Sequence, residues 1–136
     1  MSDPILPNEG ITELLALGMD VGSPTAFGYI ACGSGNTAFS ASSSALNTEI
    51  TTNGLNRQAS TNTADTTTFG DDTVSCTKAF TVTGTQTVKE IGLTNKATKD
   101  ASGEKWMYLQ VLDTERELIS GNTYTVTIKI VGAQAS

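Results

Sequence analysis

The chain contains no histidine among its 136 residues. This excludes Ser–His and Cys–His nucleophile pairs and histidine metal sites, and it leaves only carboxylate or lysine chemistry. The adjacent acids Asp71 and Asp72 would point to opposite faces of a strand, so they cannot act as acid and base on one substrate. A solvated turn is the better interpretation, with a loop calcium site that includes Asp65 as the alternative. We therefore expect no enzymatic activity, no cofactor and no metal.

Positive charge is scarce as well. Eight Lys and Arg residues face 14 Asp and Glu residues, which gives a formal net charge of -6. The basic residues are scattered, whereas binding to a phosphate backbone requires clustered cations. No apolar run is long enough to cross a bilayer, and Met1–Pro4 lacks the basic start of a secretory signal. We expect a protein that is made in the cytoplasm and binds neither nucleic acid nor membrane.

Cysteine and tryptophan are equally rare. Cys32 and Cys76 could form one disulfide, but a chain of this length can bury a core without a cross-link, and free cysteine is among the most buried residue types. Buried free thiols are therefore favoured. The single tryptophan, Trp106, is typical of a core or interface position, with stacking on a sugar as the weaker alternative.

Hydroxyl side chains are abundant instead, since Ser and Thr make up about a quarter of the chain while charged residues are only 16%. Threonine is β-branched and suits the solvent face of a pleated sheet. The final segment 123–131 alternates inward apolar residues with threonine and lysine, as a half-buried strand does. The sequence predicts a mainly β protein: one antiparallel β-sandwich of seven or eight strands, jelly-roll or Ig-like, over residues 1–136.

The N-terminal segment differs from the rest. Two prolines in residues 1–7 favour an extended arm, and residues 8–19 have helical periodicity. Asn8 is placed to cap this helix and Gly18 to end it. The apolar face of the helix is expected to close one end of the sheet core, and it comprises Ile11, Leu14 and Leu15.

Two segments depart from the regular alternation of a half-buried strand. Val88 and Ile91 are three residues apart, so both can face the core only if a bulge lies around Lys89–Glu90. Gly92 would then admit a large side chain, and Leu93 would fasten the strand to the core. The segment 105–112 is apolar on both faces, with Trp106, Tyr108 and Leu112 predicted on one face and Met107, Leu109 and Val111 on the other. A turn is predicted in the following segment, "DTERELISGN".

Several segments in order resemble a group of small tailed-bacteriophage virion proteins. They are "LPNEGITELLALGM", "YIACGSGNTAFSASSSALNTEI", Arg57, "TKAFTVTGTQTVKEIGLTN", "WMYLQVL" and "SGNTYTVTIKI". In that group a helix precedes a glycine turn and a leucine-acid pair, followed by an arginine-bearing strand and an "EiGL" strand end. The matching positions here are Gly33, Gly35, Leu46, Glu49 and Glu90–Leu93. Relatives tend to place an arginine after the last motif, whereas this chain has "KWMYLQ".

The resemblance implies a non-enzymatic β-sandwich component of the virion. The main hypothesis is a protein that decorates and cements the head shell by binding the major capsid protein or another virion protein, as a homo-oligomer, either trimer or dimer. Alternatives are a tail or baseplate component and a surface adhesin that binds glycans. We predict that Glu90 supports the adjacent loop or a neighbouring subunit. The residues predicted to contact a partner are Ile5, Leu6, Pro7, Glu90, Trp106 and Met107.

Overall fold

The computed structural model describes residues 4–65 and 73–132, and these form a mainly β structure with one helix. The helix α1 spans Asn8–Met19, the range predicted from the sequence. The seven strands are β1 (Tyr29–Gly33), β2 (Gln58–Ala59), β3 (Thr61–Asp65), β4 (Thr73–Thr81), β5 (Gln86–Thr94), β6 (Trp106–Leu118) and β7 (Thr123–Val131). The described helix is neither long nor apolar enough to span a membrane.

The strands form two antiparallel sheets, which agrees with the predicted sandwich. The four-stranded sheet has the order β2-β1-β5-β6, and the three-stranded sheet has the order β3-β4-β7. Alternate residues of each strand point inward, so the facing sides of the sheets share one apolar core. That main core contains both free cysteines, which are buried, and Phe80, Leu93 and Ile128 are among its least exposed members. Strand β7 covers the predicted range and buries Val126 and Ile128 as expected.

The outer side of the four-stranded sheet carries a second, smaller core. Ala31 lies between Ile30 and Cys32, which both face the main core, and therefore it points the other way. It packs there with Leu46, Trp106 and Leu109, and Phe39 lies against them. The segment between β1 and β2, which supplies Leu46 and Phe39, thus covers this face of the sheet.

The predicted bulge in β5 is confirmed. The pairing register between β5 and β6 shifts between Val88 and Glu90, and both Val88 and Ile91 are buried in the main core. Gly92 faces the second core, where a Cβ atom would lie 2.7 Å from a ring carbon of Trp106. The glycine is therefore required by the close approach of the indole ring. Leu93 points inward again and is 1% exposed.

Two predictions for β6 are wrong. The strand does not end at the predicted turn but continues to Leu118, and the turn before β7 is only four residues long. The predicted faces also fail, because Met107 belongs to the main core whereas Trp106 belongs to the second core with Leu109. The cause is a second register shift, in which Leu93 pairs with Tyr108 but Thr94 pairs with Trp106, so that Met107 is the extra residue.

The predicted orientation of α1 is wrong as well. Ile11, Leu14 and Leu15 are exposed, and the only buried residue of the helix is Gly10. A Cβ atom on Gly10 would overlap the backbone of Trp106 and Met107, so the helix approaches β6 through its least bulky position. Pro7 rather than Asn8 occupies the N-cap, and Asp20 rather than Gly18 adopts the left-handed conformation at the C-terminus.

Candidate functional site

The most connected polar group of the structure is Arg57, which lies just before β2. Its guanidinium forms a bidentate pair with Glu49, at 2.6 and 2.8 Å, and a further bond of 2.9 Å to Glu104. It also donates to the backbone carbonyls of Lys96 and Thr98 and lies 5.1 Å from the centre of the Trp106 ring. One buried cation thus joins three separate segments of the chain.

Two carboxylates share the single positive charge of Arg57. Burial alone would lower the pKa of Arg57, but hydrogen bonds and charge interactions with Glu49 and Glu104 outweigh it and leave the pKa raised. Glu104 also accepts a 2.9 Å hydrogen bond from the indole nitrogen of Trp106. Every polar atom in this cluster is therefore used to hold the loops onto the second core, and the arrangement is that of a structural cross-link rather than a reactive site.

Glu90 is a second buried charge, and the structure bears out its predicted contact with the adjacent loop. Its carboxylate accepts bonds from the backbone N–H of Asn47 at 3.1 Å and of Thr48 at 2.7 Å, and from the Asn47 side chain at 2.9 Å. A Cβ atom on Gly33 would overlap the Glu90 side chain. The glycine turn and the "EIGL" strand end are therefore parts of one contact, in which backbone donors stabilise a buried carboxylate.

Two carboxylates attach α1 to the sandwich. Glu9 accepts a 3.1 Å bond from the backbone N–H of Trp106, and Glu13 accepts bonds from Thr25 and Asn95 at 3.1 and 3.2 Å. Burial raises the pKa of Glu9, although the bond from Trp106 opposes that shift. The helix thus turns both of its acids towards its own sheet, and its apolar residues are left outside.

An apolar groove of about 510 Å³ lies between α1 and the open end of the main core. Leu6 of the arm and Ile11, Leu14 and Leu17 of the helix form one wall. Ile130 and Val131 of β7 and Val74 of β4 are on the opposite wall, while Leu93 and Met107 come from the four-stranded sheet. The volume is within the range of about 300–1,000 Å³ that is usual for binding pockets.

Exposed large apolar side chains concentrate around this groove. Of the nine found in the described part of the chain, five line the groove, and three more belong to α1 or lie within two residues of its C-terminus; Ile119 is the exception. The other eight form what we call the α1 patch: Leu6, Ile11, Leu14, Leu15, Met19, Val21, Val74 and Val131. Contiguous apolar surface of this kind marks interaction sites. The α1 patch is therefore the candidate functional site.

The predicted partner contacts divide into two groups. Glu90, Trp106 and Pro7 are covered by the chain itself and present no surface to a partner, whereas Met107 is 3% exposed and lines the groove. The hypothesis of a sugar platform on Trp106 fails for the same reason, since this residue is 0% exposed. Ile5 is half-buried and pairs with Leu109 of β6 through bonds of 2.8 and 3.0 Å. Leu6 is exposed and belongs to the α1 patch.

The remaining candidates that the structure describes are buried or hydrogen-bonded. The thiols of Cys32 and Cys76 are buried, and burial raises the pKa of both, to about 12 for Cys32. Asp71 and Asp72 lie outside the described residues, while Asp65 accepts a hydrogen bond from Ser75. Within residues 4–65 and 73–132 no group of three His, Cys, Asp or Glu residues could hold a metal ion.

Comparison with protein-family models, with curated proteins and with solved structures finds no match for this chain. Its surface and buried contacts are therefore the basis of the functional argument, together with the sequence resemblance described above.

Sequence reasoning missed most of the α1 patch. It recognised the apolar residues of the helix but placed them against the core, and it did not consider Val74 or Val131 as surface. One available signal was the spacing of Glu9 and Glu13, four residues apart with Gly10 between them. That spacing puts both acids and the glycine close together on one helical face. A face of this composition can approach the backbone donors of a sheet edge closely.

Proposed function

We propose that this chain is a non-enzymatic structural protein of a tailed-bacteriophage virion, which decorates and cements the assembled head shell. The observation that carries the proposal is the contrast between polar and apolar groups. The described buried side-chain nitrogen and oxygen atoms all have hydrogen-bond partners, whereas large apolar side chains remain in water at the α1 patch. A molecule of this kind offers a surface to bind and no group to react.

Two further features support a structural role. Ile5 of the arm bridges to the edge of β6, and the exposed Leu6 next to it is available to a neighbouring subunit. The outward side of β7 presents Thr125, Thr127 and Lys129 to solvent. Attachment through the arm and this hydroxyl-rich sheet surface would add buried area where shell subunits meet.

The test is co-sedimentation of the purified chain with empty heads and, separately, with tails of the phage that encodes it. We expect saturable binding to heads at a copy number set by the shell lattice, together with greater resistance of the decorated heads to heat. Binding to tails alone would replace the head-shell proposal with the tail or baseplate alternative. Absence of binding to both particles would overturn a virion role.

A further inference from the structure

The α1 patch is at the upper end of the apolar surface that a monomer usually leaves in water. Its eight side chains are between 40% and 74% exposed. The largest apolar patch of a typical monomer is about 300–600 Å², and eight large side chains at this exposure reach the upper end of that range. A standard protein interface buries about 800 Å² on each partner. The patch and the walls of the groove therefore provide the apolar centre of a full-sized interface.

The charges of this region indicate what kind of partner fits. The eight side chains that define the patch are uncharged, and the two acids of α1 are bonded to the rest of the chain, which leaves the exposed Asp20 between Met19 and Val21 as the one acid within the sequence range of the helix end. A cationic partner would be attracted by the net charge of -6 but would find no free α1 carboxylate to pair with in the patch. Near a twofold axis each group meets its own copy, so an uncharged surface avoids the repulsion that the acidic remainder of the molecule would cause.

The patch has a protruding part and a recessed part. Leu15 and Met19 lie one helical turn apart and protrude from α1, but neither lines the groove. The groove of about 510 Å³ lies beside this ridge. A twofold rotation can place the ridge of each copy in the groove of the other, which is the arrangement that an isologous contact requires.

From these three observations we propose that a second copy of this chain covers the α1 patch in a twofold-symmetric dimer. The inference deepens the proposed function, because it assigns the patch, including Leu6, to contact between copies and leaves the remainder of the arm and the outer face of the three-stranded sheet for the shell. The dimer itself does not depend on a virion role, and the two ideas are tested by separate measurements.

The experiment compares the full chain with Leu15→Glu and Ile119→Glu by sedimentation equilibrium over a wide range of concentrations. Leu15 is 62% exposed inside the patch and Ile119 is 60% exposed outside it, so the two variants add the same charge at matched exposure. We expect a dimer for the wild type and for Ile119→Glu. Leu15→Glu should weaken dimerisation at least about a hundredfold, because symmetry buries two unpaired carboxylates.

Met19→Lys provides an independent second variant with the opposite charge, and it too should be monomeric. Urea unfolding of each variant in dilute solution shows whether the fold is intact. A monomeric wild type, a trimer, or a dimer that tolerates both patch variants would overturn the inference. Head binding by a monomer would overturn the dimer but not the proposed function. A Leu15-dependent dimer that binds neither heads nor tails would support the dimer and overturn the proposed function.

Discussion

Strand β5 and the helix α1 differ in which of their charged and apolar side chains they bury. In β5 the carboxylate of Glu90 is fully buried and accepts bonds from backbone N–H groups. The neighbouring Arg57 cluster buries a cation between two acids. In α1 both acids are bonded inward while Leu14 and Leu15 are exposed. Strand β5 therefore contributes to the stability of the chain, whereas α1 leaves apolar area exposed for an interface.

Removal of Arg57 should have the largest effect of the substitutions considered. Arg57→Met would leave Glu49 buried without its bidentate partner and would remove one contact of Glu104. Breaking a buried pair from one side typically costs about 3–5 kcal/mol. Urea unfolding should show this loss, whereas Arg116→Met on the exposed part of β6 should change stability by no more than about 0.5 kcal/mol.

A double substitution sharpens this result. Adding Glu49→Gln to Arg57→Met removes the unpaired negative charge and should recover part of the lost unfolding free energy. Equal instability of the single and double variants would contradict the view that an unpaired Glu49 causes the damage.

Alanine substitution of one leucine in β5 and one in α1 compares the two regions directly. Leu93→Ala removes a side chain that is 1% exposed in the main core and should cost about 2–5 kcal/mol. Leu15→Ala in α1 should cost no more than about 0.5 kcal/mol when it is measured in dilute protein, where dimers dissociate. Denaturant midpoints of the two variants test the contrast. A near-silent Leu93→Ala would refute the assignment of this strand end to the core.

The parts of the fold that were predictable are those specified by local spacing. The alternation in β7 and the three-residue interval between Val88 and Ile91 each have one solution in a half-buried strand, so the strand and the bulge could both be predicted. Gly92, a glycine inside a strand pattern, likewise predicted the close approach of a large side chain. The length of β6 was not predictable in this way, because its charged second half pairs with β5 and the sequence of β6 alone does not contain that partner.

The candidate site was less predictable because it depends on contacts between distant residues. Arg57 and Glu104 are 47 positions apart, and no local pattern pairs them. A helical apolar stripe defines which residues share a face but not what that face contacts. The inward position of Glu9 and Glu13 decides this. Their donors are the backbone N–H groups of Trp106 and Thr25 and the side-chain amide of Asn95, which only the folded chain brings together.

Glu90→Gln should have an intermediate effect. The carboxylate accepts three hydrogen bonds from Asn47 and Thr48, and a glutamine would turn an NH₂ group towards one or more of these donors. A buried donor without an acceptor costs about 1–3 kcal/mol. Urea unfolding measures the total loss, and amide exchange at Thr48 reports the local effect. Unchanged protection at that amide would contradict the role of Glu90 as the anchor of the loop.

Glu9 should give the smallest effect, and its sign follows from the raised pKa. Burial of the carboxylate raises its folded pKa above the ordinary value of 4.5, with Lys105 opposing and Glu104 reinforcing this shift. The neutral form is favoured in the folded state, so the stabilising contribution is complete below the unfolded pKa and is lost as the pH rises through the folded pKa. Glu9→Gln abolishes that dependence while keeping an oxygen that can accept the N–H of Trp106.

The measurement is the difference in unfolding free energy between wild type and Glu9→Gln from about pH 4 to about pH 7. The difference should change in favour of the variant as the pH rises, because only the wild type must then keep a charge in a partly desolvated position. Glu117→Gln removes one negative charge from an exposed position of β6 and serves as the control for the general effect of the net charge of -6. A Glu9→Gln difference that is constant with pH would show that folding does not raise the pKa of Glu9. A difference that changes in favour of the wild type would show that α1 is held by the ionised carboxylate and its bond to Trp106.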